Sequence, residues 1–231
     1  MNDWHLDELA HAGPEHLDPG YVEGFDRKAQ TDPSDDLDVL RAHGLGGDST
    51  IVDFGAGTGV FAFAVAAECR RVVALDVSPA MVGHLRQQVA DRALANVEVV
   101  HAGFLTYDHA GPPVDFVYSR HALHQIPDFW KAVALHRIRS VLKPGGILRV
   151  RDLVYDFEAA EAEERMAAWF AGAVDDPAVG WTAGELAEHV RTEHSTFTWL
   201  FEPMLEHAGF EILDRESGGG AYAAYTCRAV Q

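Results

Sequence analysis

One short segment limits what this chain can become. Val52-Asp-Phe-Gly-Ala-Gly-Thr-Gly59 is entered from an apolar run, Ile51 to Phe54, and left through a helix-forming stretch, Phe61 to Glu68. A strand that turns through glycines into a helix points backbone N–H groups and the positive end of the helix at whatever lies above the turn. Gly55 and Gly57 permit a backbone path and a close ligand approach that a Cβ would block. About 20 residues on, Asp76 ends the next apolar run and stands where a carboxylate accepts hydrogen bonds from ribose hydroxyls. The pattern predicts a nucleoside-binding α/β fold.

The rest of the chain keeps the alternation that such a fold needs. Strands are expected at Ile51–Phe54, Arg71–Asp76, Val97–His101, Asp115–Tyr118 and Ile147–Val154, with helices from Pro79 to about Arg92 and from Asp128 to Leu142. Lys143-Pro-Gly-Gly146 stops the second of these helices. Two late strands, Phe210–Arg215 and Tyr222–Arg228, are joined by Gly218-Gly-Gly220, so the last is expected to run antiparallel. The fold class is α/β: a doubly wound, mostly parallel seven-stranded sheet with helices on both faces. Residues 1–45, polar and broken by prolines, are expected to form an N-terminal helical cap, and 46–231 the main domain. Residues about 158–198 break the strand–helix rhythm and read as a helical lid insertion, with the helical region running to Phe201 and interrupted at Pro177–Trp181.

Charge narrows the partners. With 18 Lys and Arg against 36 Asp and Glu, the formal net charge is −18, which disfavours nucleic acid and anionic membrane surfaces. The two cysteines, Cys69 and Cys227, are far apart and form no CxxC pair, as suits a reducing cytosol. Met1 to Leu17 lacks the basic start and apolar run of a signal peptide, and Ile51 to Cys69 is broken by Asp53 and Glu68. A cytoplasmic protein, monomer or homodimer, is the expectation.

The glycine spacing separates two cofactor classes. A dinucleotide site wants G-x-G-x-x-G or A, whereas this loop reads G-x-G-x-G. Asp53, at the ligand end of the strand, would repel a pyrophosphate but suit the ammonium and sulfonium of S-adenosylmethionine. An NAD(P)-dependent oxidoreductase is therefore the lesser alternative.

Four segments in order then carry a resemblance. Val52–Gly59, Leu75-Asp-Val-Ser-Pro-Ala-Met81, Ser119-Arg-His-Ala-Leu-His-Gln-Ile-Pro-Asp128 and Leu142-Lys-Pro-Gly-Gly-Ile147 are similar to the motifs of class I S-adenosylmethionine-dependent methyltransferases of the small-molecule type. The resemblance implies that Asp53, Gly55, Ala56 and Gly57 hold the methionine part of the cofactor, that Asp76 binds ribose, and that Val77 and Met81 flank adenine. It places Ser119 near the transferred methyl. In the family an acid after the third strand commonly meets the adenine amino group. Here Gly103 occupies that position, which leaves adenine to Phe104 stacking, a backbone group or water. A SAM-binding protein without methyl transfer, such as a sensor, or a cyclase or lyase on the same fold, is the other alternative.

Methyl transfer asks for an acceptor held in line, and for some acceptors a base. His124, then His121, are the candidates after strand four, with Arg120 as a substrate contact or a helix tie. The histidines sit at i, i+3, yet no carboxylate or cysteine joins them at ligand spacing, so no metal is expected. Tyr21, Phe25 and Lys28 in the cap, and Trp169, Phe170, Trp181 and Trp199 in or beside the lid, are candidate walls for a small, partly apolar acceptor. Tyr21, Trp169 and Trp181 are the chosen substrate contacts.

Overall fold

The computed structural model describes residues 4–29 and 31–230. Residues 1–3, 30 and 231 lie outside the described residues, and the segment expected as a cap is described without them. It contains two short 3-10 turns, Glu8–His11 and Pro14–Leu17, then α1 (Pro19–Ala29) and α2 (Ser34–Ala42).

The main run follows as β1 (Thr50–Phe54), α3 (Val60–Ala66), β2 (Arg71–Asp76), α4 (Pro79–Asp91), β3 (Val97–His101), β4 (Val114–Arg120), α5 (Asp128–Val141) and β5 (Leu142–Asp152). Then come β6 (Val154–Tyr155), α6 (Ala162–Ala171), α7 (Ala183–Thr192), β7 (Thr196–Phe197), α8 (Thr198–His207), β8 (Phe210–Gly218) and β9 (Tyr222–Ala229). The large sheet has seven strands in the order β3-β2-β1-β4-β5-β9-β8. β1 to β5 are parallel, and β9 runs antiparallel to both β5 and β8. The expected sheet is therefore the one formed.

Helices cover both faces. Val52, Phe54, Val73 and Leu75 point to one side, with α5 and α8, and Ile51, Val72 and Ala74 to the other, with α2 and α3. This opposition follows from the two-residue period of a strand, and burial on both faces explains the near-continuous apolar runs. Asp53 shares the parity of Ile51 and is carried into the same buried layer.

Two local expectations are corrected. β5 begins at Leu142, so Lys143 to Gly146 end the helix and are themselves part of the strand, which stops at Asp152. The lid region is not continuously helical up to Phe201: Thr196–Phe197 is a strand, paired in parallel with Val154–Tyr155. A two-residue ladder leaves too little periodicity to read.

One buried hub docks the cap. Asp36, on α2, is fully buried and accepts hydrogen bonds from Tyr118 Oη (2.8 Å), Arg149 Nε (2.9 Å) and Arg151 Nη2 (3.1 Å). Arg149, also fully buried, reaches Thr226 and Glu216 as well. Burial opposes the Asp36 charge, but Arg151 and Arg149 hold its pKa below the usual value. Among the described residues no helix is long and apolar enough to cross a membrane.

Candidate functional site

The carboxyl ends of β1, β2 and β3 meet at the glycine loop. Gly55, Gly57 and Gly59 turn the chain into α3 with φ of 72°, 54° and 90°. A Cβ on Gly55 would collide with the Ala122 side chain, so a glycine there lets the loop lie against the turn after β4. Above Gly57 the space is open, with nothing within 4 Å of where a Cβ would stand. Ala56 N–H donates back to Leu75 O at 2.8 Å, which pins the loop to β2.

Asp76 is oriented by the same loop. Gly57 N–H donates to its Oδ2 (2.9 Å) and Ser78 N–H to its Oδ1 (2.8 Å), leaving a lone pair on each oxygen. Burial raises its pKa, and the N–H groups of Ser78 and Gly57, with His16 and His101, draw it back. Beyond it, His101 Nε2 lies 2.9 Å from Val77 O, and Met81 is buried, its N–H capped by Ser78 Oγ at 3.2 Å. The Ser78 hydroxyl in turn donates to His16 O at 2.7 Å, tying the N-terminal cap to α4.

Asp53 differs from its neighbour. It is 2% exposed, and its Oδ2 has no hydrogen-bond partner among the described residues. Burial, with the Asp76 charge added, holds its pKa well above the usual carboxylate value. A buried carboxylate without a cation is costly. Beside an open loop lined with N–H groups, that cost is relieved by a ligand carrying positive charge and made worse by a phosphate.

The glycine at position 103 has a counterpart that the sequence order conceals. A Cβ on Gly103 would lie 2.6 Å from the Glu8 carboxyl carbon. Glu8, 6% exposed, reaches in from the first turn of the cap and accepts a hydrogen bond from Leu105 N–H at 3.0 Å. An acid thus does stand at the end of β3, delivered from 97 residues away in the chain. No local signal could have found it. Phe104 is committed elsewhere: its ring stacks on Phe54, centroids 5.4 Å apart and 7° from parallel, inside the core.

The segment after β4 holds the remaining candidates. Ser119 is buried and donates to Phe54 O at 2.9 Å, so its hydroxyl ties β4 to β1. Arg120 donates to Asp32 O at 2.9 Å and lies 3.6 Å from Asp36, joining the cap. His121 has a left-handed backbone, φ 50°, and its N–H donates to Arg151 O at 2.8 Å. Its Nδ1 is buried with no partner among the described residues. Burial pushes its pKa down to about 4, against the pull of Asp152.

His124 sits in the opposite environment. Its Nδ1 lies 2.5 Å from Asp152 Oδ1 and its Nε2 2.9 Å from Glu193 Oε2. Burial alone would lower its pKa, but the Asp152 and Glu193 carboxylates raise it to about 9. The two flanking carboxylates thus favour the charged form of His124, while burial favours the neutral form of His121. Asp152 and Glu193 were missed at the sequence level. Asp152 had a signal, as an acid closing strand five; His189 and Glu193 had one too, at i, i+4.

The aromatic candidates fall into two groups. Lys28 joins Tyr21 and Trp181: its Nζ lies 4.4 Å from the Trp181 ring centre, 5.8 Å from that of Tyr21, and is bonded to Glu185 on α7. Phe25 packs 5.9 Å from Tyr21. Trp169 belongs to a second group, 6.0 Å from both Tyr222 and His189, and Tyr222 is 5.6 Å from His121. Phe170 lies 5.8 Å from Trp169, while Trp199 is half exposed and stacks on Phe197.

Residues 51–146 match a methyltransferase domain family. An uncharacterized methyltransferase of a Geobacillus species is 25% identical over 58% of this chain and 61% of its own length. A carboxy-S-adenosyl-L-methionine synthase of Ectopseudomonas mendocina is 33% identical over 50% of this chain and 49% of its own. The chain thus spans between about half and three fifths of the length of these curated relatives. Among solved structures, a SAM-dependent methyltransferase from Aquifex aeolicus superposes with a TM-score of 0.63 at 21% identity, covering 92% of this chain and 99% of that one.

Proposed function

We propose that this chain, which carries the methyltransferase domain of the class I S-adenosylmethionine-dependent enzymes, transfers a methyl group to an O, N or C atom of a small, partly apolar metabolite. The observation that carries the cofactor reading is the buried, unpartnered Oδ2 of Asp53 beside the open face of Gly57. When bound, S-adenosylmethionine supplies a methyl on a positively charged sulfur, so the protein's part is binding, orientation and exclusion of water.

In this reading Asp53 and the N–H groups of the Gly55–Gly57 turn hold the amino-acid end of the cofactor. Asp76, fixed by Gly57 and Ser78, offers its two remaining lone pairs to ribose. Val77 and Met81 flank the base, and Glu8 stands in for the acid that Gly103 lacks. Ser119 and Arg120 act as positioning residues, the first through β1 and the second through the cap. His121, neutral and with a free ring nitrogen, takes a proton from the acceptor where one must leave. Trp169 and Tyr222 beside it, with Tyr21 and Trp181 across α7, form the apolar walls of the acceptor site.

Calorimetric titration with S-adenosylmethionine, S-adenosylhomocysteine and NADH tests the cofactor. Binding of both adenosyl ligands without NADH is expected. Folded protein that binds neither would overturn the reading, and NADH binding would favour an oxidoreductase. Release of labelled methyl into a panel of small acceptors then separates transfer from binding alone, a distinction sharpened by the carboxy-S-adenosyl-L-methionine synthase among the relatives.

A further inference from the structure

We infer that His124, His189 and Glu193 form a binding site for a divalent transition-metal ion of the zinc type, joining the C-terminal end of α7 to the turn after β4. The inference is independent of the cofactor reading.

Three electron-pair donors converge there. His124 Nε2, His189 Nδ1 and a Glu193 oxygen all lie within 4.8 Å of one another, and the two rings are 5.1 Å apart. Both nitrogens approach the same oxygen, Glu193 Oε2, at 2.9 Å for His124 and closer for His189. That oxygen is buried, and the two rings are its ion-pair partners. Two imidazole nitrogens and one carboxylate oxygen turned toward a common point make a donor set of the kind that holds one ion. Around a tetrahedral zinc with bonds near 2.0–2.1 Å, donor atoms stand roughly 3.3 Å apart, so an ion entering here moves Glu193 outward from the closer ion-pair spacing that it holds to both rings.

The outer nitrogens give a second, separate reason. A ligating imidazole donates its other N–H to a carboxylate or similar acceptor, which fixes the tautomer and leaves a lone pair for the metal. His124 Nδ1 faces Asp152 Oδ1, and His189 Nε2 lies 2.8 Å from Ser195 Oγ. An ion at His124 Nε2 takes the place of the proton that the charged ring carries there.

The fold holds these groups in place. His189 lies in the last turn of α7 and Glu193 caps that helix, its N–H donating to His189 O at 2.9 Å. The segment after α7 is fastened to the turn by His194 N–H donating to His124 O at 2.9 Å, and to the chain beyond β5 by the β6–β7 ladder. Two imidazoles and one carboxylate suit zinc, cobalt or ferrous ions and leave a fourth position for water or an acceptor heteroatom. Trp169, 6.0 Å from His189, puts the aromatic wall at the edge of the site.

The test uses the full chain, stripped with a chelator and titrated with Co2+ and then Zn2+. One cobalt per chain, with the intense visible absorption of a four-coordinate ion, displaced by zinc and accompanied by a raised melting temperature, is expected. His189→Asn and Glu193→Gln should each weaken binding at least about tenfold, and Asp152→Asn roughly 10- to 100-fold. Titration with S-adenosylhomocysteine reports separately on the glycine loop in each variant. A cobalt spectrum like that of the aqueous ion, with no thermal shift in the unmodified protein, would overturn the inference and leave an ion-pair network. Equal cobalt affinity in folded His189→Asn and Glu193→Gln would overturn it too, since other histidines would then hold the ion.

Discussion

Asp53 and Asp36 are both buried aspartates on the same layer of the sheet, and they are treated in opposite ways. Asp36 sits among Arg149, Arg151 and the Tyr118 hydroxyl, each within 3.1 Å. Asp53 has one oxygen with no partner, and the acid of Asp76 nearby. The difference separates a charge that the fold has already matched from one that the fold leaves open. The first fastens α2 to the sheet; the second is where we propose a cationic ligand. The region after β4 resembles the Asp36 hub more than the glycine loop, since Asp152 has His124 and several backbone N–H groups.

The largest expected break of this contrast is in stability. Asp36→Ala leaves Arg149 buried with its main partner gone and should cost about 3–5 kcal/mol, whereas Asp53→Asn should leave the ligand-free protein as stable or more so. Chemical denaturation of both variants decides it; equal losses would erase the contrast. Binding should invert the order. Asp53→Asn removes a charge-assisted contact of about 1.5–3 kcal/mol, so S-adenosylmethionine affinity should fall roughly 10- to 100-fold. An unchanged dissociation constant would show that Asp53 does not face the ligand.

A pH series sharpens the same point. Asp53 is protonated in the free protein up to its raised pKa and must ionise to pair with a cation. Affinity should therefore climb as pH rises through that value and level off above it, with proton release visible as buffer-dependent binding enthalpy. Its contribution to stability has the same origin and the opposite slope. A folded pKa above the unfolded one gives stability that is present below the unfolded pKa and lost as pH rises through the folded one. Asp36, with its pKa lowered, instead loses its contribution as pH falls below the ordinary carboxylate range. In Asp53→Asn the first slope should vanish and the second remain. The smallest effect is expected from Glu8→Gln, where a shape-conserving change to one buried acceptor should weaken S-adenosylhomocysteine by about tenfold or less; no change would remove Glu8 from the adenine end.

The glycine loop, the seven strands and the antiparallel end were legible because each rests on neighbours in sequence: a run of apolar residues, a glycine turn, a hairpin. That Asp53, Gly55, Gly57 and Asp76 come together at one loop was legible for the same reason. The β6–β7 ladder and the break in the lid were not, since two residues of strand carry no period. The histidines show the limit most clearly. His121 and His124 are three residues apart in one turn, yet burial leaves one neutral near pKa 4 and two carboxylates leave the other charged near 9.

What the sequence determined alone is the sheet and the glycine loop with its two acids, because backbone preference and apolar period act over a few residues. What only the tertiary structure decided is which charges meet: Glu8 behind Gly103, Asp36 with Arg149, and Glu193 with His124. Electrostatic pairing depends on distance in space and on exclusion of water, and neither is written in the spacing along a chain.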